Sequence, residues 1–230
     1  MPQTKLHKFT VNYSSQMEFH QLKNEIFNEK IYFFETDSPS PVILDVGAHI
    51  GLATLYFKHL YPFAKIIAIE PNPISFQLLE QNIWENNLTE VIAHNLAIAS
   101  QKNQLNLHQD PDLEWLSSTS IHQGAWNGEQ KTESFSVRAV PLTQFLDQKI
   151  DLLKMDVEGS ETEIILSVDE KLQQIQQMII ECHGQDFSTT AKIQKHLQDL
   201  GFAVSFVKKN KVINIQQARG LFFIHARNSN

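Results

Sequence analysis

Cysteine is nearly absent from this chain. The one thiol, Cys182, excludes an intramolecular disulfide and suits a reducing compartment. Basic charge is scarce as well: 19 lysines and arginines stand against 26 acids, a formal net charge of -7. A general nucleic-acid binder carries basic excess to meet phosphates, so this balance counts against such a partner. Lys208, Lys209 and Lys211 form the one cationic cluster and read as a solvated turn. No apolar run approaches the length that spans a bilayer, and residues Met1 to Thr10 are polar and lack an apolar signal region. The expectation is a soluble, cytoplasmic chain with no membrane partner. Internal repeats and low-complexity tracts are absent too, apart from mild glutamine enrichment near Gln173 to Gln177.

What is present is a globular composition. Of 230 residues, 42% are hydrophobic and 20% charged, enough for one α/β domain with a sizeable core. Residues 1–40 read as an N-terminal extension or lid, with Phe19, Leu22, Ile26 and Phe27 spaced for one helix face. From Val42 the pattern alternates. Val42 to Val46 is a short apolar strand ending at a glycine, Leu52 to Leu60 a helix, and Lys65 to Glu70 a second strand. Asn72 followed by Pro73 starts a helix as cap and first-turn proline. Val91 to Ala99 reads as a third strand. Residues 100–149 break the rhythm: Gln104 to His108 and Ser134 to Val140 alternate like antiparallel strands around a Ser- and Trp-containing loop. Ile150 to Met155 is a fourth core strand, a helix begins near Ser160, Met178 to Glu181 is a fifth strand, and Thr189 to Leu200 is a helix. Phe202 to Val207 and Leu221 to His225 follow, joined by too short a turn to be parallel neighbours. The fold class expected is α/β, a Rossmann-like sheet, mostly parallel, with an antiparallel C-terminal strand over 41–230.

Chemistry concentrates at the expected carboxyl ends of the strands, where open α/β sheets bind ligands. The first junction is Asp45-Val46-Gly47-Ala48-His49-Ile50-Gly51. Its D-x-G-x-x-x-G spacing departs from the G-x-G-x-x-G dinucleotide fingerprint, since His49 takes the second glycine position. It is the spacing of methyltransferases that bind S-adenosylmethionine. Glu70 ends the second strand, where an acid faces a ribose and accepts from both hydroxyls. Asn95 to Ala97 lie where an adenine should pack. Asp45, Gly47, His49, Gly51, Glu70, Asn95 and Ala97 are therefore the candidate cofactor-binding residues.

Asp156 ends the fourth strand, and a charge at the end of a buried strand needs partners. Glu158 and Glu161 follow at a helix start, where acids are favourable in any case. Glu181 and His183 sit at the fifth strand's end. Asp156, Glu158, Glu181 and His183 are the candidate catalytic residues, with His183 or Asp156 the general base. A hard cation such as Mg²⁺ on these carboxylates is the alternative to a metal-free site, and the histidine favours the metal-free form. Cys182 reads as a small buried residue. Trp115, His122 and Trp126 are candidate pocket residues.

Four stretches together resemble the FkbM family of methyltransferases: VILDVGAHIG from Val42, AIEPNP from Ala68, LLKMDVEGSE from Leu152 and IIECHG from Ile179, with LSSTSI from Leu116 a weaker match. The resemblance implies O-methylation of sugar or natural-product hydroxyls by S-adenosylmethionine. His49 departs from the asparagine usual in the family. Residues 100–149 and the N-terminal extension are expected to wall the acceptor site. An NAD(P)-dependent oxidoreductase is disfavoured by the glycine spacing, and a non-catalytic nucleotide-binding protein would have no need of the acid and histidine clusters. Methylation of nucleic-acid nitrogens is disfavoured because the chain has no N/D-P-P-Y/F motif.

Overall fold

The structure is a computed structural model and describes residues 2–101, 103–109, 119–120, 133–183 and 186–229. The chain begins with a hairpin, β1 (Gln3–Leu6) and β2 (Phe9–Asn12), then α1 (Gln16–Lys23), which runs into a π-helical turn at Asn24–Asn28. Next come β3 (Val42–Val46), α2 (Leu52–Leu60), β4 (Lys65–Ile69), α3 (Pro73–Glu85) and β5 (Val91–His94). A second region holds β6 (Ala97–Ala99), β7 (Asn103–Gln109), β8 (Thr119–Ser120) and β9 (Glu133–Pro141). The chain then returns to the main sheet with β10 (Ile150–Met155), α4 (Glu161–Leu166), β11 (Ile175–Cys182) and α5 (Phe187–Asp199), and ends with β12 (Phe202–Lys208), β13 (Lys211–Ile213) and β14 (Phe222–Asn228).

The main sheet has the order β13-β12-β14-β11-β10-β3-β4-β5. Strands β5, β4, β3, β10 and β11 are parallel, and β14 enters antiparallel between β11 and β12. This is the Rossmann-like, mostly parallel α/β sheet expected, with its antiparallel strands at the C-terminal edge. The strand order reverses between β3 and β10, the switch point where such sheets open a crevice.

Two expectations change. The third strand is not one run from Val91 to Ala99: β5 belongs to the main sheet, whereas β6 belongs to a small sheet of order β6-β9-β7-β8. The break falls at Asn95, whose side-chain amide donates to the backbone carbonyls of Glu70 (2.9 Å) and Pro71 (3.1 Å) and turns the chain out of the sheet. The N-terminal hairpin and β13 were also unforeseen. Asn82, buried on α3, holds the hairpin: its Oδ1 accepts from Asn12 N at 2.7 Å, and its amide donates to Ile50 O at 2.8 Å.

Strand alternation divides the core. Leu44, Leu153, Ile180 and Ile224 face α4 and α5. Ile43, Leu152, Ile179 and Phe223 face the other way, onto α2, α3 and the N-terminal segment. That segment contributes Phe9, Phe19, Phe27, Tyr32 and Phe34 to the same core, and each such burial stabilises by about 1.5–3 kcal/mol. Side chains two residues on lie on the same face. Asp45, Lys154 and Glu181 therefore follow Ile43, Leu152 and Ile179 onto the face that the N-terminal segment covers.

Glycine is required where β3 turns into α2. Gly47 has φ +76°, and a Cβ there would land on the Asp156 carbonyl oxygen at the end of the neighbouring strand. Gly51 has φ +89°, but its Cβ would meet the mobile end of the Leu79 side chain at 2.7 Å. Gly51→Ala should cost about 1–2 kcal/mol from the left-handed backbone alone, and Gly47→Ala about 2 kcal/mol or more because a backbone carbonyl must move as well. Urea midpoints of the two variants test this; equal losses would rule out the close approach of the two strand ends.

Candidate functional site

The turn after β3 is fixed from three sides. Gly47 N and Ala48 N both donate to Ile69 O at 2.9 Å. Lys154 Nζ donates to Gly47 O at 2.6 Å. His49, itself left-handed at φ 52°, donates its backbone N–H to Glu70 Oε2 at 2.7 Å. Glu70 Oε1 accepts from Asn72 N at 2.8 Å, and Asn72 Oδ1 caps α3. Burial pushes the Glu70 carboxyl up to about 7, although both backbone hydrogen bonds oppose the shift.

These residues edge a cavity at the switch point of the sheet. Gly47, His49, Glu70, Ala97, Asp156 and Glu158 line it. Leu105 and Leu107 of β7 supply part of its apolar wall. Asp45, Gly51 and Asn95 do not border it. Asp45 is fully buried behind the turn, accepting from Thr54 Oγ1 at 2.7 Å and lying 3.5 Å from Lys154 Nζ. Gly51 caps α2, and Asn95 serves the bend at Glu70.

The acid and histidine residues converge as the topology requires, since β10 and β11 are adjacent. His183 Nε2 lies 3.4 Å from Glu158 Oε2 and 3.6 Å from Glu181 Oε1, and His183 Nδ1 lies 3.8 Å from Glu161 Oε1. Glu161 is more than an acid at a helix start. It is fully buried, and its Oε1 accepts from Gly159 N at 3.0 Å and Val157 N at 3.3 Å, bracing a turn whose Glu158 and Gly159 both have positive φ. Burial alone would lower the His183 imidazole. The nearby Glu161 carboxylate and the charges of Glu158, Asp156 and Glu181 outweigh it and push the ring up to about 10. Burial and the charge of Asp156 push Glu158 up to about 9 and Glu181 to about 8. These groups titrate as one cluster, in which the ring keeps its proton at neutral pH. One ligand atom from each of Asp156, Glu158 and His183 lies within 4.8 Å of the others, a spacing that a cation can bridge.

Three residues escaped the sequence reading. Lys154 is buried near the carboxyl end of β10; its signal was a lone lysine inside an apolar strand. Tyr32 donates to Glu181 Oε2 at 2.6 Å and lies 3.4 Å from Asp156 Oδ2. Glu18, buried on α1, lies 3.4 Å from His49 Nε2. The last two come from the N-terminal segment, and no local pattern marks them. Cys182 is buried, as expected, and burial holds its thiol well above the usual range. Trp115, His122, Trp126 and most of LSSTSI lie outside the described residues. Within the described part of 100–149, Leu105 and Leu107 line the cavity beside Glu70 and Asp156.

Comparison with known proteins agrees with this layout. The family model described as "Methyltransferase FkbM domain" matches residues 45–204. The chain is 30% identical over 219 residues to "Methyltransferase sdnD" of Sordaria araneosa, covering 83% of this chain and 85% of that protein. It is 30% identical over 149 residues to "2-O-methyltransferase NoeI" of Sinorhizobium fredii (strain NBRC 101917 / NGR234), covering 59% of this chain and 60% of that one. Among solved structures, the methyltransferase FkbM from Methylobacillus flagellatus KT superposes with a TM-score of 0.55 at 14% identity; the match covers 85% of this chain and 47% of that one, so this chain spans about half its length. The D-x-G-x-x-x-G turn, the acid ending β4 and the acid cluster after β10 thus stand in a chain that belongs to the FkbM family of methyltransferases.

Proposed function

We propose that the chain is an S-adenosylmethionine-dependent O-methyltransferase whose acceptor is a hydroxyl of a sugar or natural-product-type small molecule. The observation that carries this reading is the cavity running from Glu70 to Asp156 in a chain of this family. The residues fit the donor. Each Glu70 oxygen has one backbone partner and a lone pair left for a ribose hydroxyl. Ala97, Leu105 and Leu107 offer apolar surface to an adenine, and Asp156 stands at the end suited to a sulfonium. When bound, the donor supplies an electrophilic methyl carbon. An NAD enzyme shares the acid at β4, but family membership counts against it. A purely nucleotide-binding role leaves the five-residue cluster of Asp156, Glu158, Glu161, Glu181 and His183 unexplained.

Asp156 is the proton acceptor in this reading. It borders the cavity, and its Oδ1 is buried without a hydrogen-bond partner among the described residues. His183, kept protonated by its acid neighbours, holds Glu158 and Glu181 in place instead of taking the proton. The acceptor O–H gives its proton to Asp156 as the O–CH₃ bond forms and the S–CH₃ bond breaks, leaving S-adenosylhomocysteine. Alignment of the two reactants supplies much of the acceleration. The "2-O-methyltransferase" relative supports oxygen as the acceptor atom. The net charge of -7 supports a small acceptor over a nucleic acid, and no described helix is long and apolar enough to cross a membrane. Residues 1–40 and 100–149 belong, in this reading, to the ligand side of a methyltransferase domain spanning 41–230. The triad of Asp156, Glu158 and His183 favours one second reading, a cation that lowers the acceptor's pKa.

Glu70→Ala should weaken S-adenosylmethionine binding by about 1–3 kcal/mol, because two hydroxyl contacts to a charged acceptor are lost. Since the ionised carboxylate accepts both hydroxyls, affinity in the unmodified chain should rise with pH through about 7 and then level off. Calorimetric titrations across that range check both; a binding constant flat with pH, or NAD bound in place of the donor, defeats the assignment.

Asp156→Asn should lower turnover by about 10²–10⁴-fold with donor affinity largely kept, and His183→Gln by less. Product formation measured by mass spectrometry separates the two variants. A greater loss in His183→Gln returns the base role to the imidazole.

In the metal-free form, turnover survives exhaustive chelation and is unchanged by added Mg²⁺. Loss on chelation that Mg²⁺ or Mn²⁺ restores selects the cation instead.

A further inference from the structure

A second cavity, of about 350 Å³, opens beside Glu181. Its floor is Glu181 and Phe223, direct neighbours in the β11–β14 register and therefore on one face of the sheet. Glu25 and Ile31 of the N-terminal segment form one wall, and Lys209 and Leu221 the other. A hydrogen bond closes the two walls at the rim: Asn210 Nδ2 donates to Glu29 O at 3.0 Å. Lys209 and Asn210 are both left-handed, at φ 50° and 57°, which makes the β12–β13 turn tight enough to reach across.

The two cavities meet at one point. Asp156 borders the first and Glu181 the second, and the Tyr32 hydroxyl lies between them, 3.4 Å from one carboxylate and 2.6 Å from the other. A molecule in the second cavity that reaches Glu181 stands one side-chain hydroxyl, that of Tyr32, away from Asp156. The chemistry of the walls is amphiphilic. Ile31, Leu221 and Phe223 give contiguous apolar surface, with Leu221 half-exposed at the opening. Glu25, Glu29 and Lys209 put both signs of charge at the rim, which gives a polyanion no net attraction.

We infer that this cavity receives the methyl acceptor, and that the acceptor is a neutral amphiphilic alcohol with an apolar face against Ile31, Leu221 and Phe223 and its reacting hydroxyl directed past Glu181 toward Asp156. The inference rests on the methyltransferase reading above and adds to it a place and a polarity for the substrate. It assigns acceptor choice to the π-helical turn and the β12–β13 turn. Residues 103–109 serve the donor side.

The test uses the whole chain with S-adenosylhomocysteine and two probes, n-octyl β-D-glucopyranoside below its micelle concentration and methyl β-D-glucopyranoside. Octyl glucoside should slow amide exchange in residues 25–31 and 207–223, and methyl glucoside should not. Leu221→Trp, at an exposed position that leaves the core intact, should weaken octyl glucoside about tenfold or more with S-adenosylhomocysteine affinity unchanged. Lys209→Glu should leave the uncharged probe's affinity nearly unchanged. No protection by octyl glucoside, protection elsewhere, or unaltered probe affinity in Leu221→Trp overturns the inference. A chain that binds the probe here but not S-adenosylhomocysteine instead overturns the donor reading and leaves this cavity standing.

Discussion

A buried ammonium holds the centre of this protein together. Lys154 sits one residue from the end of β10, 2% exposed, and a charge so placed is tolerated only with partners. Its Nζ donates to Gly47 O at 2.6 Å and lies 3.5 Å from Asp45 and 3.8 Å from Asp156. Burial works against its charge, but Asp45, Asp156, Glu181 and Glu70 outweigh burial and keep it ionised. Because its folded pKa lies above the unfolded value, this contribution to stability is present at all pH values below about 10.5 and is lost only in strong base. Removing one partner of such a pair leaves the other charge unmatched, at a cost of about 3–5 kcal/mol. The lysine thereby fixes the glycine turn to the end of β10, and with it the distance from the Glu70 end of the crevice to the Asp156 end.

The same face of the sheet explains why the N-terminal segment is integral. Asp45, Lys154 and Glu181 project from a surface whose other members are Ile43, Leu152, Ile179 and Phe223. Water must be kept from this polar row without leaving its groups unpaired. The segment answers both needs: Phe9, Phe19, Phe27 and Phe34 seal the apolar part, and Tyr32 brings a hydroxyl to Glu181. The Tyr32 ring also stands under the ammonium, 5.1 Å from Lys154 Nζ, a favourable face for a cation. Burial and the neighbouring acids hold the phenol well above its ordinary pKa, so it remains a donor.

Acids crowd one rim of the crevice. Asp156, Glu158, Glu161, Glu181 and His183 occupy one rim, and the imidazole is shared among the carboxylates. Burial and mutual repulsion raise Glu158 and Glu181, and the same acids raise the His183 ring between them. Asp156 is common to the crevice and to the Tyr32 contact.

Much of this was legible along the chain because it is local. Apolar runs of strand length, the glycine turn, the Asn72–Pro73 helix start and the acids after Met155 and Ile180 are patterns within ten residues of one another. Adjacency of β10 and β11 then follows from right-handed crossovers, which is why the acids and His183 converge as expected. What tertiary structure alone decided is everything that crosses the chain. Glu18 and Tyr32 reach the site from more than a hundred residues before Glu181 and His183, and nothing in their neighbourhood marks them. Gly47 is a glycine because the Asp156 carbonyl packs against it, a contact 109 residues away in sequence. Asp45 and Asn95 stand at the right strand ends yet face away from the crevice, since alternation and a bend, not position in a motif, decide where a side chain points. His183 has the composition of a general base, but Asp156, Glu158 and Glu161 from beyond β10, with Glu181 of its own strand, keep its ring protonated. Sequence specifies which groups are available; the fields and contacts that set their roles are sums over neighbours that only folding assembles.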